Sequence, residues 1–371
     1  MFTIKSSELH AENVSLNAIA DSLGTPFYVY STAVIEANYL KMREAFAHFP
    51  HKICYAMKAN SNQAVIKTFA NLGAGVDVVS LGELKRALKA GVSPDKIMFS
   101  GIGKTVAEHE AALKAGIFCI NVESVPEIYQ LSRVATRLGI KAPVSFRINP
   151  DVDAKTHAKI STGKSENKFG IPLKSALDVY NEAAALPGIQ ICGVDMHIGS
   201  QILNLEPFDN AFALLAEFVR ELRLAGHDIH HVDAGGGLGI SHYEGQQEAD
   251  IEAYAAIIEK HLKSLNVEII FEPGRFLVGN AGVLITEVIY VKEGDGKNFV
   301  IVDAAMNDLI RPTLYEAHHE IKPVTPTNRP LAKVDIVGPV CETGDYLGLG
   351  REMPEMMAGE RYCQDMPIVA E

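Results

Sequence analysis

Short runs of uninterrupted apolar residues alternate along the chain with longer stretches whose apolar positions recur every three and four residues. The apolar runs fall at residues 53–58, 75–79, 97–100, 118–122, 144–148, 191–198, 229–233 and 268–272. They are apolar on successive rather than alternate positions, as strands buried on both faces are. The stretches between them read as helices, beginning with an apolar stripe over 34–46. Ser80 with Glu83 and Thr105 with Glu108 have capping-box spacing. Gly91, Gly116, Gly139, Gly188 and Gly226 follow helical runs where a left-handed C-cap is expected. Eight buried strands alternating with helices predict an α/β fold, either a closed parallel barrel or a large doubly wound sheet. Eight is the number that closes around an interior filled by side chains, which favours the (β/α)8 TIM-like barrel.

Outside this alternation the pattern changes. Residues 1–25 are polar and uneven, and a short strand follows at 27–30. Beyond Arg275 come strand-like runs at 283–291, 298–303, 319–324 and 333–337 with no strong helix between them. The first two are joined by Glu293-Gly294-Asp295-Gly296-Lys297, a good hairpin turn. The expected division is a barrel over 26–275 and a mainly β domain made of 1–25 and 276–371. One connection, 150–170, is long, polar and without periodicity, and loops of that kind are functional or disordered.

Composition narrows the function classes. The 371 residues exceed one ordinary core, and 47% hydrophobic with 22% charged residues is the balance of a globular protein. A formal charge of −12 argues against nucleic acid and anionic membranes as partners. The five cysteines are scattered without metal-ligand spacing, so no metal is expected. Cys54, Cys119 and Cys192 lie in apolar runs and read as small core residues. The first residues lack a basic-then-apolar signal and no apolar stretch could span a bilayer, so a cytoplasmic location is expected.

In a barrel the chemistry sits at the C-terminal strand ends. In order these carry Lys58, Asp77, Ser100, Asn121, Arg147 with Asn149, His197, Asp233 and Glu272. A strand ending on one lysine presents a single amine at the rim of a core, where desolvation favours the nucleophilic form. Taken alone, Lys58 equally marks the place where a strand surfaces. After strand seven comes Gly235-Gly236-Gly237-Leu238-Gly239, and after strand eight Glu272-Pro273-Gly274-Arg275. The glycine run is a tight turn or a backbone cradle for an anion, and these two barrel loops are a frequent phosphate site. Ile240 stands where a dinucleotide fingerprint needs its last glycine. Gly103-Lys104-Thr105 and Gly163-Lys164-Ser165 end like P-loops, but Met98 and Ala158 occupy the required earlier glycine. A lysine, a glycine cradle, a carboxylate and a histidine at one barrel mouth suit pyridoxal 5'-phosphate.

The motifs YAMKAN, DVVSLGEL, NVES, HAKISTGKSENKFG, HIGSQI, DAGGGLGI, EPGRFLV and VGPVCETGD resemble those of the diaminopimelate decarboxylases. These are fold-type III pyridoxal phosphate enzymes, similar in fold to alanine racemase and related to ornithine and arginine decarboxylases. The resemblance runs to about Pro354. It implies that Lys58 is the Schiff-base lysine, that His197 covers the cofactor ring, and that Ser200 and Gly237 touch its phosphate. It implies that Glu272 binds the pyridinium nitrogen, where racemases of this fold place an arginine. With the strand-end residues this makes a cofactor set of Lys58, Asp77, His197, Ser200, Gly235, Gly236, Gly237, Glu272, Gly274 and Arg275. Arg275, Arg311, Tyr315 and Glu342 resemble the residues that read the far end of an amino-acid substrate, and Cys341 the residue that returns a proton to the α-carbon. The family also implies a homodimer in which Cys341 and Glu342 act across the interface.

The implied reaction is decarboxylation of meso-diaminopimelate to L-lysine. Guanidinium groups suit a distal carboxylate and Glu342 a distal ammonium, although Arg311 alone could equally form a surface ion pair. A decarboxylase of ornithine, arginine or a carboxylated polyamine is the alternative within the class, and a cofactor-binding protein without turnover the alternative outside it. The latter arises from residues 361–371, which replace the apolar strand and Ala-Gly-Ala-Tyr-Gly motif of the family. Tyr362 lacks that glycine context. The expectation is a truncated or frame-shifted chain with an unpaired sheet edge, binding cofactor with weakened or absent turnover.

Overall fold

The structure, a computed structural model, describes residues 2–154, 162–163, 167–243 and 245–366. The chain forms two compact units, Glu36–Ile240 with Gln247–Leu277, and Met1–Ile35 with Ser241–Gln246 and Val278–Ile368. The first segment of the second unit therefore runs on to Ile35, past a boundary at 25/26, and its last segment begins at Val278, just past 275/276. The reason is that strand Phe27–Tyr30 pairs with the start of strand Gly282–Gly294.

The first unit is a closed barrel of eight parallel strands: His51–Ala56, Gly75–Val78, Ile97–Phe99, Cys119–Val122, Ala142–Asn149, Ile189–Asp195, His231–Asp233 and Glu268–Phe271. Ile269 to Phe271 pair with His51 to Ile53 and so join the last strand to the first. A two-residue strand, Ile171–Pro172, pairs with the fifth beside its neighbours. Successive strand residues point to opposite faces, so positions two apart share a side. Cys54, Met98, Cys119 and Ile270 form one apolar cluster. Two residues further on, three of those strands deliver Ser100, Asn121 and Glu272. The change from apolar to polar thus takes one side-chain layer.

The helix signals act as the spacing predicts at Thr105, where the reciprocal box with Glu108 forms. At Ser80 only half of it does, because the Glu83 carboxylate accepts from the Val79 N–H instead. Gly91, Gly116 and Gly139 are left-handed caps. Gly188 caps nothing: its helix, Leu173–Ala184, ends at Ala185. Gly226 likewise follows a helix capped by Ala225. Cys192 is half-buried rather than core, whereas Cys54 and Cys119 are buried.

In the second unit the sheet order is Ile321–Pro323, Arg361–Met366, Gly282–Gly294, Lys297–Val302, Leu331–Val337 and Tyr346–Pro354. Residues 2–23, which show no sequence pattern, form a three-stranded sheet and the helix Leu16–Leu23. The divergent tail corrects the expectation that it is not a strand. Arg361–Met366 pairs with Gly282 to Glu287 on one side and Ile321 to Pro323 on the other. Its polar letters mislead because Tyr362, Cys363 and Gln364 are all buried, the Gln364 amide being spent on the Leu347 carbonyl. Residues 155–161 and 164–166 of the 150–170 connection lie outside the described residues.

Candidate active site

Lys58 follows the first barrel strand in a single 3-10 turn, Met57–Ala59. Met57 and Ala59 are buried, and the turn leaves Lys58 exposed between them. The amine is therefore not desolvated by its own burial, contrary to the expectation from its strand. The turn is held by the Tyr55 hydroxyl, which donates to the Asn60 carbonyl at 2.9 Å. The Ala56 N–H donates to the Pro273 carbonyl at 3.0 Å and ties this strand end to the loop after strand eight. Gly274 allows that approach, since a Cβ there would lie 3.0 Å from the Ala59 methyl.

Around this rim the barrel buries carboxyl groups. Carboxylate oxygens of Asp195, Asp233 and Glu272 lie within 4.8 Å of one another. The Asn121 amide reaches Ser100 Oγ at 3.1 Å, Glu272 Oε1 at 3.2 Å and Asp233 Oδ2 at 3.3 Å. The Ser145 hydroxyl holds the other end of that amide by donating to its oxygen. The Gly235 N–H donates to Asp233 Oδ1 at 2.9 Å. Burial and mutual repulsion push these groups toward the protonated form. Asp233 is pushed up to about 6, chiefly by burial, and Glu272 is raised well above the carboxylate range by burial and by Asp233. Burial likewise pushes Asp77 up to about 7, opposed by the Lys58 charge. Asp77 Oδ1 is buried without a hydrogen-bond partner.

His197 follows strand six. Burial, with Lys58 and Arg147 adding to it, holds its basicity well below the ordinary range. Gly236 and Gly237 are glycines by necessity. A Cβ on Gly236 would meet the Glu272 carbonyl oxygen at 2.2 Å, and one on Gly237, at φ +101°, the Gly199 carbonyl oxygen at 2.1 Å. The loops after strands six and seven are joined there, with the Ile202 N–H on the Gly237 carbonyl at 2.9 Å.

The barrel unit thus brings Lys58, Asp77, His197, Ser200, Gly235, Gly236, Gly237, Glu272, Gly274 and Arg275 to the C-terminal strand ends, with Arg275 buried and Ser200 half-buried. A cofactor carrying an aldehyde, a protonatable ring nitrogen and a phosphate fits this set. The Lys58 amine, the Glu272 carboxyl and the glycine backbone are the groups that could take those three parts, and the Asp77 oxygen without a hydrogen-bond partner is a further acceptor there. Asp195 is a member of the carboxyl cluster that the strand-end reading missed. Its only sequence signal is a carboxylate inside an apolar strand. Ser145 is missed for a similar reason, being an interior residue of strand five.

Arg311, Tyr315, Cys341 and Glu342 belong to the second unit. Arg311–Tyr315 is a short helix with the Arg311 guanidinium 6.0 Å from the Tyr315 ring centre. Arg311 is buried, so it is not the surface ion-pair residue considered for it. Cys341 and Glu342 are exposed in a turn. The Asp345 carboxylate accepts from the Val340 N–H at 2.7 Å and the Met306 N–H at 2.6 Å. Thr313 donates to the Gly344 carbonyl at 2.6 Å, so the turn is fastened to the Arg311 helix. Tyr362 lies in the unit's core cluster.

Comparison with known proteins shows the family. Residues 32–279 match the family described as pyridoxal-dependent decarboxylase, pyridoxal binding domain. A diaminopimelate decarboxylase of Pseudomonas fluorescens is 50% identical over 353 residues, 95% of this chain and 85% of that protein. The crystal structure of diaminopimelate decarboxylase from Helicobacter pylori complexed with L-lysine has a TM-score of 0.91 at 42% identity, covering 95% of this chain and 90% of its own. That from M. jannaschii in co-complex with L-lysine has a TM-score of 0.94 at 36% identity, covering 99% and 88%. No helix among the described residues is long and apolar enough to cross a membrane. The chain belongs to the diaminopimelate decarboxylase family of pyridoxal-dependent decarboxylases.

Proposed function

We propose that this chain, acting in the cytoplasm with pyridoxal 5'-phosphate, removes one carboxylate of meso-diaminopimelate to give L-lysine and CO2. The observation that carries the reading is the buried carboxyl of Glu272 at the C-terminal end of strand eight, held by the Asn121 amide at 3.2 Å in the rim that also carries Lys58 and the Gly235–Gly237 turn. Bound cofactor supplies an electron sink for the pair left behind when CO2 departs. Lys58 would attach it covalently, the backbone at Gly235, Gly236 and Gly237 would hold its phosphate with Ser200, and Glu272 would serve its ring nitrogen. Asp77 and His197 would contact its ring, with His197 in its neutral form. Gly274 and Arg275 complete the wall beyond strand eight.

Arg275 and Arg311 are the guanidinium groups suited to the distal carboxylate, Tyr315 lies beside Arg311, and Glu342 suits the distal ammonium. Cys341 delivers a proton to the α-carbon from its thiol. Its exposed turn suits a role in the active site of a second copy, so the working form is a homodimer. A distal ammonium alone, as in ornithine, would leave the buried Arg311 facing like charge.

The test uses purified protein loaded with pyridoxal phosphate. A visible absorbance band, absent in Lys58→Ala, is expected, together with CO2 release from diaminopimelate and not from ornithine or arginine. No band, or faster release from either basic substrate, overturns the reading.

A further inference from the structure

We propose that His319 is a positioning residue for Arg311, and that the Asp365 carbonyl in the last described strand sets the tautomer in which it works. This rests on the reading of Arg311 as a contact for the distal end of the substrate. Arg311 Nη1 and His319 Nε2 are 3.1 Å apart. A guanidinium has donors only, so Nε2 presents its lone pair. On the other side of the ring Nδ1 lies 3.0 Å from the Asp365 carbonyl oxygen, which can only accept. One state satisfies both contacts, the neutral imidazole with its proton on Nδ1.

The frame around the ring is closed. His319 is 1% exposed and Arg311 7%. The His319 carbonyl accepts from Arg351 Nη2 at 3.2 Å. The Asp365 N–H donates to the Glu320 carbonyl at 2.8 Å, so the strand that supplies the tautomer-setting carbonyl is locked to the residue after His319. A neutral acceptor orients the guanidinium and leaves its charge intact for a carboxylate ligand, as a carboxylate in the same place would not. Burial lowers the Arg311 pKa to about 10, so it remains a cation at neutral pH.

Protonation of His319 would remove the acceptor and set a second cation against Arg311. Among the described residues the charged and titratable groups around it include Arg311, Arg351, His242 with its ring centre 6.4 Å away, the adjacent His318 and Glu320, and Asp365 with Lys322. Substrate binding therefore weakens as pH falls, through loss of Arg311 orientation.

The experiment measures KM and kcat for diaminopimelate on the cofactor-loaded full chain. His319→Leu should raise KM about tenfold or more with kcat within about threefold and an unchanged cofactor absorbance band. His319→Gln, which keeps an acceptor oxygen, should return KM to within about threefold of the unaltered protein. Arg311→Ala is measured beside them. If it leaves KM unchanged, the reading of Arg311 fails and takes this proposal with it. If Arg311→Ala raises KM while neither His319 variant does, or both do so equally, the positioning role alone is overturned. Should His319→Leu yield no folded protein, the pH profile decides. KM rising toward pH 6 in the unaltered protein and flat in His319→Gln supports the proposal, and the same profile in both overturns it.

Discussion

His197 accepts the Gly236 N–H at Nδ1 over 3.1 Å, so its single ring proton sits on Nε2. Burial and the charges of Lys58 and Arg147 all favour that uncharged state. The ring should show no titration between pH 5 and 8 in an NMR experiment that follows its carbon shifts. A midpoint inside that range would mean that the contact with Gly236 does not persist in solution.

The buried carboxyls give the cofactor-free protein a pH dependence whose sign is fixed. Asp77 and Asp233 have folded values of about 7 and about 6, above the ordinary 3.8. Stability from these groups is fully present below pH ~4 and is lost as pH rises through 6 and 7, at about 1.4 kcal/mol per pH unit for each proton held. The depressed His197 acts in the opposite direction, losing stability as pH falls through the ordinary histidine range. Denaturant midpoints should decline from pH 5 to pH 8, and Asp77→Asn should flatten that slope.

Gly237→Ala should disrupt the backbone turn proposed to hold the cofactor phosphate. Its Cβ would collide with a backbone oxygen, and φ is in the left-handed region. Cofactor affinity measured by absorbance titration should fall by about a hundredfold or more, since strain of this kind costs on the order of 1–3 kcal/mol before the collision is counted. Gly103→Ala has open space at the same atom and should leave affinity unchanged.

Lys104 is the residue of the false P-loop motif at 103–105, and its role is structural. Its ammonium, almost wholly buried, lies 2.9 Å from the Glu127 carboxylate and 2.8 Å from the Asn121 carbonyl. His109 reaches the same carboxylate at 3.3 Å. Lys104→Ala leaves Glu127 buried without its cation and should cost about 3–5 kcal/mol in chemical denaturation. A loss below ~1 kcal/mol would show that water replaces the ammonium.

The barrel is legible in the sequence because strands buried on both faces must be continuously apolar, and eight such runs leave few architectures. The strand-end residues are legible for the same reason, since a polar group closing an apolar run has nowhere to go but the rim. Asp195 and Ser145 are not, because alternation that places a side chain inside a barrel is invisible when both faces are buried. The tail shows a different limit. Arg361–Met366 has the composition of a loop, and only its neighbours make it a strand, by offering backbone partners on both sides and a carbonyl for the Gln364 amide. Lys58 is the converse case. Its strand announces a buried amine, but one turn of 3-10 helix after Ala56 leaves Lys58 exposed at the barrel rim.

Phe27–Tyr30 and the first residues of Gly282–Gly294 are hydrogen-bonded neighbours, and the barrel is the chain between them. That pairing is a clasp around roughly 250 residues, a closed loop in the sense of loop-closure entropy. Neither end of the barrel is a chain terminus, so fraying inward from a free end is denied to it. Partial unfolding must either open the clasp first or start in an internal loop, and a protease that nicks the chain near residue 31 or 281 would convert a looped polymer into an open one without touching the barrel.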